Sequence, residues 1–367
     1  MLTGTRVLDL TRVLAGPLAG MLLGDLGADV VKVERPGTGD ETRGWGPPFD
    51  PRGESAYYLS VNRNKRSVAL DLDAPADRAV LSTLLDGADV VLENFRPGTL
   101  ERRGFDPLAT LARRPALVWC TITGFGPASE RPGYDFVVQA ERGWMSITGE
   151  PAGEPMKVGV ALADVLAGKD AALAVLAALV AVGRGRLAAP ASRRLHVSLA
   201  RSATAALVNV AQNALVSGEP PARWGNAHPN LVPYQLFHAA DAPLVLAVGS
   251  DAQWAACARA LDLPTLADDS RLATNAGRLA HRDEVVAALA ARIAAAPRAH
   301  WLARLDAAGV PAGQVRTVLE ALAEEGGSAL TGVAPSVPGS VRLPPPRLDE
   351  HGDRVRALGW GACDGRP

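Results

Sequence analysis

The sequence predicts an α/β protein whose large domain is a doubly wound, Rossmann-like parallel sheet. In the first 125 residues, short runs rich in β-branched residues alternate with helical stretches, the pattern of consecutive βαβ units. Crossovers as short as these place the helices on the two faces of the sheet. The pattern changes after residues 217–230, which are rich in Gly, Pro and Asn, and this change predicts a second, small α+β domain.

Strands and helices follow one another along the chain in the order that a parallel sheet requires. The apolar and β-branched runs predict strands at Arg6–Leu10, Asp29–Glu34, Ser67–Leu72, Asp89–Phe95, Leu117–Thr123 and Arg194–Leu199. The first helix is closed by a glycine and the second strand ends before Pro36, which are ordinary stop signals. Helices are predicted at Leu14–Gly27, Pro75–Leu85, Pro107–Arg113 and Val165–Val182, followed by an apolar helix that runs to Val216.

Beyond the connecting segment, the chain predicts a hairpin and then helices. The runs Tyr234–Ala239 and Leu244–Val248 flank a four-residue turn that contains Asp241 and Pro243. Ala-rich helices continue to Ala308, and a Pro-rich tail from Leu330 ends in a short helical stretch.

Composition excludes several classes of protein. Lys and Arg number 38 and Asp and Glu 39, so the chain lacks the basic excess of a general nucleic-acid or anionic-membrane binder. The three cysteines are far apart and have no second Cys or His at ligand spacing, which excludes a disulfide framework and a zinc site. The longest apolar run, Ala171–Val182, spans about 18 Å as a helix, less than a ~30 Å membrane core. With no secretion signal at the N-terminus, we expect a cytoplasmic protein.

The familiar nucleotide and hydrolase motifs are also missing. The turn after the first strand, residues 11–17, lacks the G-x-G-x-x-G fingerprint of dinucleotide-binding folds. The sequence contains no P-loop, no H-E-x-x-H and no G-x-S-x-G. We therefore expect neither a bound nicotinamide cofactor nor a metal.

Basic residues recur near strand ends, where open α/β sheets bind their ligands. They are Arg35 after the second strand, Arg63, Lys65 and Arg66 before the third, and Arg96 after the fourth. Such cations suit phosphates, although spacing alone equally fits solvated loop charges.

Asp164 is the most suggestive acidic residue, because it follows an apolar run and stands just before the predicted long helix. It fits either a helix N-cap or a nucleophile that the helix N-terminus keeps ionised. His228 lies in the glycine-bearing loop 225–230 and fits a loop hydrogen-bonding residue or a general base.

Motifs spread along nearly the whole chain resemble, in order, the class III CoA-transferases, the family of formyl-CoA transferase, carnitine CoA-transferase and alpha-methylacyl-CoA racemase. The matching segments are residues 4–17, 23–36, 62–67, 93–98, 124–126, 131–135, 148–149, 159–168, 225–229, 251–254 and 308–311.

This resemblance implies an acyl-CoA:carboxylate CoA-transferase that works through an aspartyl-CoA thioester on Asp164. It places the CoA site at five residues, namely Arg35, Lys65, Asn94, Phe95 and Arg96. It also places a substrate-side or covering role at Tyr134 and at Gly225, Asn226 and His228. CoA and acyl-CoA are then substrates rather than permanently bound cofactors.

Two departures bear on the activity. Racemases of the family carry a histidine where this chain has Tyr134, and a phenol with a pKa near 10 is a poor base at neutral pH. Leu14 stands where formyl-CoA transferase has a glutamine, which counts against that substrate. The alternatives are a 2-methylacyl-CoA racemase of the same fold and a CoA-binding subunit without turnover.

The resemblance also implies an interlocked homodimer and a large domain built from both chain ends. On this basis we expect a large CoA-binding domain at residues 1–216 and 320–367 and a small α+β domain with its linkers at 217–319. The stretch 321–342 is shorter than is usual in the family. An acyl-CoA and a carboxylic acid acceptor are the expected small-molecule partners, with no nucleic acid and no membrane.

Overall fold

The computed structural model describes residues 1–364, which fall into two compact units. The first unit comprises residues 1–144, 157–218 and 324–364, and the second comprises residues 145–156 and 219–323. The first unit is therefore assembled from both ends of the chain. Residues 145–156, which the sequence assigns to the large domain, cluster instead with the second unit.

The elements in chain order are β1 (Arg6–Asp9), α1 (Ala15–Asp25), β2 (Asp29–Glu34), α2 (Ala56–Leu59), β3 (Lys65–Ala69), α3 (Pro75–Gly87), β4 (Val90–Glu93), α4 (Pro107–Arg113), β5 (Val118–Thr123), α5 (Asp135–Glu141), α6 (Trp144–Ile147), α7 (Leu162–Gly183), β6 (Arg194–Ser198), α8 (Leu199–Ala205), α9 (Val208–Ser217), β7 (Tyr234–His238), β8 (Pro243–Ala247), α10 (Asp251–Ala260), α11 (Pro264–Ala267), α12 (Asn275–Ala280), α13 (Arg282–Ile293), α14 (Arg298–Ala307), β9 (Ala312–Gln314), α15 (Val318–Glu325), β10 (Gly327–Ser328), β11 (Gly332–Val333) and α16 (Gly352–Leu358).

Within residues 1–364, six parallel strands form the main sheet in the order β3-β2-β1-β4-β5-β6. This is the strand order of a doubly wound fold, and it confirms the predicted α/β class. The order reverses between β1 and β4, so the loops after these two strands diverge and leave a crevice at their carboxyl ends. The crevice is where the topology favours a ligand.

Alternating residues of the strands supply one apolar core on each face of this sheet. On β1, Val7 packs into the core that contains α1 and α7, whereas Leu8 packs into the opposite core with α3 and the C-terminal Trp360. Both side chains are fully buried. The C-terminal segment thus completes the first unit by covering the sheet face that β1 shares with α3.

Some predicted boundaries are wrong, and polar residues are the main reason. Strand β3 covers Lys65–Ala69 rather than Ser67–Leu72, because the charged residues at its start are buried in the sheet and pair with β2. The predicted apolar helix to Val216 is two helices, α8 and α9, separated at residues 206–207. The long helix α7 starts at Leu162, three residues before the predicted start.

Helix α7 is the one helix in residues 1–364 whose length and apolar composition suit a membrane span. Its small residues, among them Ala163, Ala167 and Ala171, are buried in the core of the first unit beside α1. The predicted burial of this apolar segment therefore holds for one face of the helix, because Leu173 and Val180 are exposed.

The second unit contains an antiparallel sheet in the order β7-β8-β9, together with helices α10 to α14. The predicted hairpin is present as β7 and β8. Its core is built on large buried side chains such as Phe237, Trp254 and Trp301.

Candidate functional site

The loops after β1, β2, β3 and β4 enclose a cavity of about 480 Å³ at the crevice of the sheet. Basic side chains from three of these loops line it: Arg12, Arg35, Arg96 and Arg103. Phe95 contributes an aromatic ring and Leu72 an apolar surface. Four carboxylates line it as well, those of Glu34, Asp40, Asp71 and Asp73. The arginines suit the phosphates of a ligand, and the aromatic ring suits an apolar part of it.

A second cavity of about 240 Å³ adjoins the first and leads to Asp164. Arg12, Phe95 and Arg96 line both cavities, so these three residues form a junction between them. Tyr134 and Asn94 also line the second cavity. The structure therefore brings together Asp164 and most of the candidate residues from the N-terminal half of the chain.

Two glycines shape one wall of the second cavity. A Cβ atom added to Gly124 would lie 2.4 Å from the Cα of Gly133, and one added to Gly133 would lie 2.1 Å from the Cα of Gly124. The two backbone segments touch, which leaves no space for a side chain on either. The pair fixes the course of the loop that ends at Tyr134.

Asp164 lies inside the first turn of α7 and is not its N-cap, contrary to the simpler of the two sequence interpretations. Ala161 is the cap residue and provides no side-chain hydrogen bond. Instead Asp135 accepts a hydrogen bond from the backbone N–H of Ala163 at 2.7 Å, and its second oxygen accepts one from Gln139 at 2.7 Å. Because Asp135 does the capping, the carboxylate of Asp164 is left to face the cavity.

Burial raises the pKa of Asp164 to about 7, and the neighbouring charge of Asp135 adds to the effect. We expected the helix N-terminus to keep this carboxylate ionised at neutral pH; the raised pKa puts its titration close to neutral pH. Removing the group from water and placing it beside a second carboxylate both favour its protonated form. The side chain exchanges its proton close to neutral pH, and when ionised it is poorly solvated and correspondingly reactive.

Lys65 does not lie in either cavity, so its predicted role as a CoA ligand is wrong. Its ammonium group is fully buried and donates to Asp9 at 2.9 Å, to Asn62 at 2.9 Å and to the carbonyl oxygen of Pro17 at 2.8 Å. These bonds use all of its donors. Lys65 is a structural cation that ties β3 to β1 and α1.

Asn94 and Phe95 lie at the cavities, but their polar groups are held by the protein. The Asn94 side chain bonds the backbone of Arg12, and the N–H of Phe95 donates to Glu93 at 2.9 Å. Arg35 and Arg96 line the arginine-rich cavity, as predicted. Their contact with CoA stays a prediction.

Sequence reasoning missed Arg12, Arg103 and Tyr57. Arg12 comes three residues after the end of β1, so its position near a strand end was a usable signal; its guanidinium lies 3.1 Å from Glu41. Arg103 lies farther along the segment between β4 and α4, with no motif to mark it. Burial raises the pKa of Tyr57 to about 12, and the charges of Asp164, Asp135 and Asp40 add to the effect.

The loop with Gly225, Asn226 and His228 belongs to the second unit. The Nδ1 atom of His228 accepts a hydrogen bond from the N–H of Asn230 at 3.0 Å, and its ring lies 5.3 Å from that of Tyr234. His228 thus takes part in the hydrogen bonding of its own loop. The covering role of this loop stays a prediction.

Within the described range 1–364, no group of three or more His, Cys, Asp or Glu side chains is arranged to hold a metal ion. Asp164 and the arginines of the two cavities are thus the groups of this region that can act on a charged ligand.

Comparison with known proteins identifies the family of this chain. Residues 2–351 match the family model described as CoA-transferase family III. The chain is 40% identical to a succinate–glutarate CoA-transferase of Agrobacterium fabrum, over 97% of this chain and 95% of the relative. It is 36% identical to an acetyl-CoA:oxalate CoA-transferase of Acetobacter aceti, over 96% and 94%.

Solved structures show the same fold. A CAIB/BAIF family protein from Brucella suis superimposes with a TM-score of 0.83 at 39% identity, covering 97% of this chain and 98% of that one. A Mycobacterium tuberculosis protein superimposes with a TM-score of 0.81 at 31% identity, over 96% and 98%. The chain therefore belongs to CoA-transferase family III and is a CoA-transferase.

Proposed function

We propose that the protein moves CoA between two carboxylic acids through an aspartyl-CoA thioester on Asp164. The observation that carries the proposal is the position of this carboxylate. Among the described residues 1–364 it makes no hydrogen bond or ion pair, and it lines a cavity that shares Arg12, Phe95 and Arg96 with the arginine-lined cavity. A donor whose phosphates lie among the arginines has a path to Asp164.

The reaction begins when an ionised oxygen of Asp164 attacks the thioester carbonyl of the donor. The C–S bond breaks, CoA leaves as a thiolate, and a mixed anhydride forms between Asp164 and the acyl group. The thiolate then attacks the Asp164 carbonyl of this anhydride, which releases the donor acid as a carboxylate and leaves the aspartyl-CoA thioester. No net proton or electron is gained or lost.

The second half repeats these steps in reverse with another acid. The acceptor carboxylate attacks the aspartyl-CoA thioester, forms a new anhydride and expels the CoA thiolate. Attack of the thiolate on the acceptor carbonyl gives the product thioester and restores Asp164. The reaction gains and loses no electrons, so it needs no redox carrier. We propose that CoA enters the site only as part of the acyl-CoA substrate.

Charge assigns the other roles. Arg35, Arg96 and Arg103 bind the phosphates of CoA, and the ring of Phe95 packs against its apolar part.

We propose dicarboxylic acids as the substrate class. The relatives with the names given above act on succinate, glutarate and oxalate, which carry a second carboxylate beyond the reacting one. Arg12 and Arg131 line the cavity of Asp164 and supply cations for that second group. Arg131 is stacked 4.2 Å from the ring centre of Phe125 and paired with Glu141, which holds it in place.

The test is a matrix of acyl-CoA donors and mono- and dicarboxylic acceptors, read by mass spectrometry of the CoA esters. We expect transfer to dicarboxylates such as glutarate, and none from the Asp164→Ala variant. Binding of acyl-CoA without transfer in the whole matrix contradicts the proposal and favours a non-catalytic CoA-binding subunit.

We also propose that the protein is a cytoplasmic, interlocked homodimer. Within the described residues, Leu215 and Val216 of α9 are 79% and 78% exposed, and Leu173 of α7 is 67% exposed. A second copy that covers these apolar side chains removes them from water. Threaded chains cannot separate without unfolding, so sizing chromatography is expected to show a dimer at nanomolar concentration, and a concentration-dependent monomer contradicts the threading.

A further inference from the structure

The junction between the two cavities is made by two loops that are far apart in sequence. One loop follows β1 and contributes Arg12, and the other follows β4 and contributes Phe95 and Arg96. Both loops end at the crevice of the sheet, and neither belongs to a helix or a strand there. Their relative placement decides the shape of the passage from the arginine-lined cavity to Asp164.

A single side chain joins the two loops. The amide nitrogen of Asn94 donates to the carbonyl oxygen of Arg12 at 2.8 Å, and its amide oxygen accepts from the N–H of Arg12 at 3.0 Å. The two bonds imitate the pairing of neighbouring peptide groups and fix Arg12 in both position and orientation. They engage both the donor and the acceptor side of the amide.

The loop after β1 depends on bonds of this kind. Val13 has a φ of 72°, a conformation that β-branched residues rarely adopt. Its N–H is held by both oxygens of Asp40 at 3.3 Å, and the carbonyl oxygen of Thr11 accepts from buried Lys32 at 2.7 Å. A strained turn persists only where its surroundings hold it, and Asn94 holds the residue between these two contacts.

The loop after β4 is anchored in turn. Glu93 is buried at the end of β4 and accepts from the N–H of Phe95 at 2.9 Å and from the hydroxyl of Thr121 on β5 at 2.5 Å. This fixes the start of the loop on the sheet. Asn94 therefore links the backbone of Arg12 to a loop whose start is anchored on the sheet.

We propose that Asn94 is a positioning residue that sets the side chain of Arg12 at the junction, and that it does not act as a ligand of CoA. The assignment rests on the proposed function, because it takes the acyl-CoA to pass the junction on its way to Asp164. A displaced Arg12 guanidinium meets the donor in the wrong place, and errors of about 1 Å can cost on the order of 100-fold in rate.

A double-mutant cycle on kcat/KM for the acyl-CoA donor tests this. We expect Asn94→Ala and Arg12→Ala each to lower kcat/KM about 10- to 100-fold. The kcat/KM of the double variant is expected to be no lower than that of the less active single variant, because without the Arg12 side chain there is nothing for Asn94 to place. If the fold-losses in kcat/KM of the two single variants multiply in the double variant, the assignment is overturned. Asn94 then contacts the donor itself or only supports the fold.

Two further variants separate an effect on the site from an effect on folding. Asp106→Ala removes the side-chain cap of α4 in the same unit, lines neither cavity, and is expected to lower stability without changing kcat/KM. Asn94→Ser replaces Asn94→Ala in the cycle if the alanine variant does not fold. Wild-type transfer is the reference, so an inactive wild type contradicts the proposed function, whereas an active wild type with multiplying losses contradicts only the role of Asn94.

Discussion

Replacing Asp164 by asparagine tests the electrostatics of the site without relying on any substrate. The pKa of this carboxyl group rises from 3.8 to about 7 in the folded protein, mainly through burial and then through the charge of Asp135. At pH values between these two, the native state holds a proton that the unfolded chain has released. Stability contributed by this group is therefore present at low pH and is lost as the pH rises toward 7.

The size of the effect follows from the shift. About three pKa units at about 1.36 kcal/mol each give about 4 kcal/mol of unfolding free energy that the wild type loses between about pH 4 and pH 7. Asp164→Asn does not titrate, so it avoids this loss. The variant's free energy of unfolding relative to the wild type is expected to rise by about 4 kcal/mol over that interval and then to level off.

Urea unfolding of both proteins at equal protein concentration, at about pH 4 and about pH 8, measures this change. Taking the difference between two pH values cancels the fixed cost of burying an amide in place of a carboxyl group. If the free energy of unfolding of Asp164→Asn relative to the wild type is the same at both pH values, the raised pKa is refuted. If it falls rather than rises between the two pH values, the site stabilises the charged form.

Three other predictions concern activity and binding. Asp135→Asn keeps an acceptor for the Ala163 N–H but removes the charge beside Asp164, so the acidic limb of the kcat/KM profile is expected to move to lower pH; an unmoved limb contradicts the coupling. Arg35→Ala and Arg96→Ala are each expected to weaken CoA binding by about 1.5 to 3 kcal/mol in isothermal titration, and unchanged affinity in both removes the phosphate site from this cavity. Tyr134 is expected to support no exchange of the α-proton of (R)-2-methylacyl-CoA in deuterium oxide, because a phenol is a weak base at neutral pH; rapid deuterium uptake with racemisation reassigns the protein as an isomerase.

The sheet could be predicted because its strands are buried on both faces and read as apolar runs. Strand β2 is predicted at its observed bounds, and the order of helices and strands in the first half of the chain leaves few alternatives. The start of β3 could not be predicted in this way. Lys65 belongs to the strand because Asp9 on β1 neutralises it in the interior, and a pairing across 56 residues leaves no local pattern.

The candidate site could likewise be predicted only in part. Asp164 could be found from the motif around it, but its environment could not, because the helix cap comes from Asp135 on another element. Asn94 was predicted to bind the ligand, since its segment matches the family's CoA site. The structure shows its side-chain amide bonded to the backbone of Arg12, and backbone contacts between distant loops have no sequence signature.

The covalent role of Asp164 is tested most directly by trapping. The protein is incubated with an acyl-CoA donor without acceptor, treated with hydroxylamine and digested, and its peptides are analysed by mass spectrometry. Asp164→Ala serves as the control. We predict a hydroxamate on the peptide that contains Asp164 in the wild type, formed only in the presence of donor and absent from the control. Modification of a different residue, or full transfer activity in the alanine variant, contradicts the aspartyl-CoA intermediate.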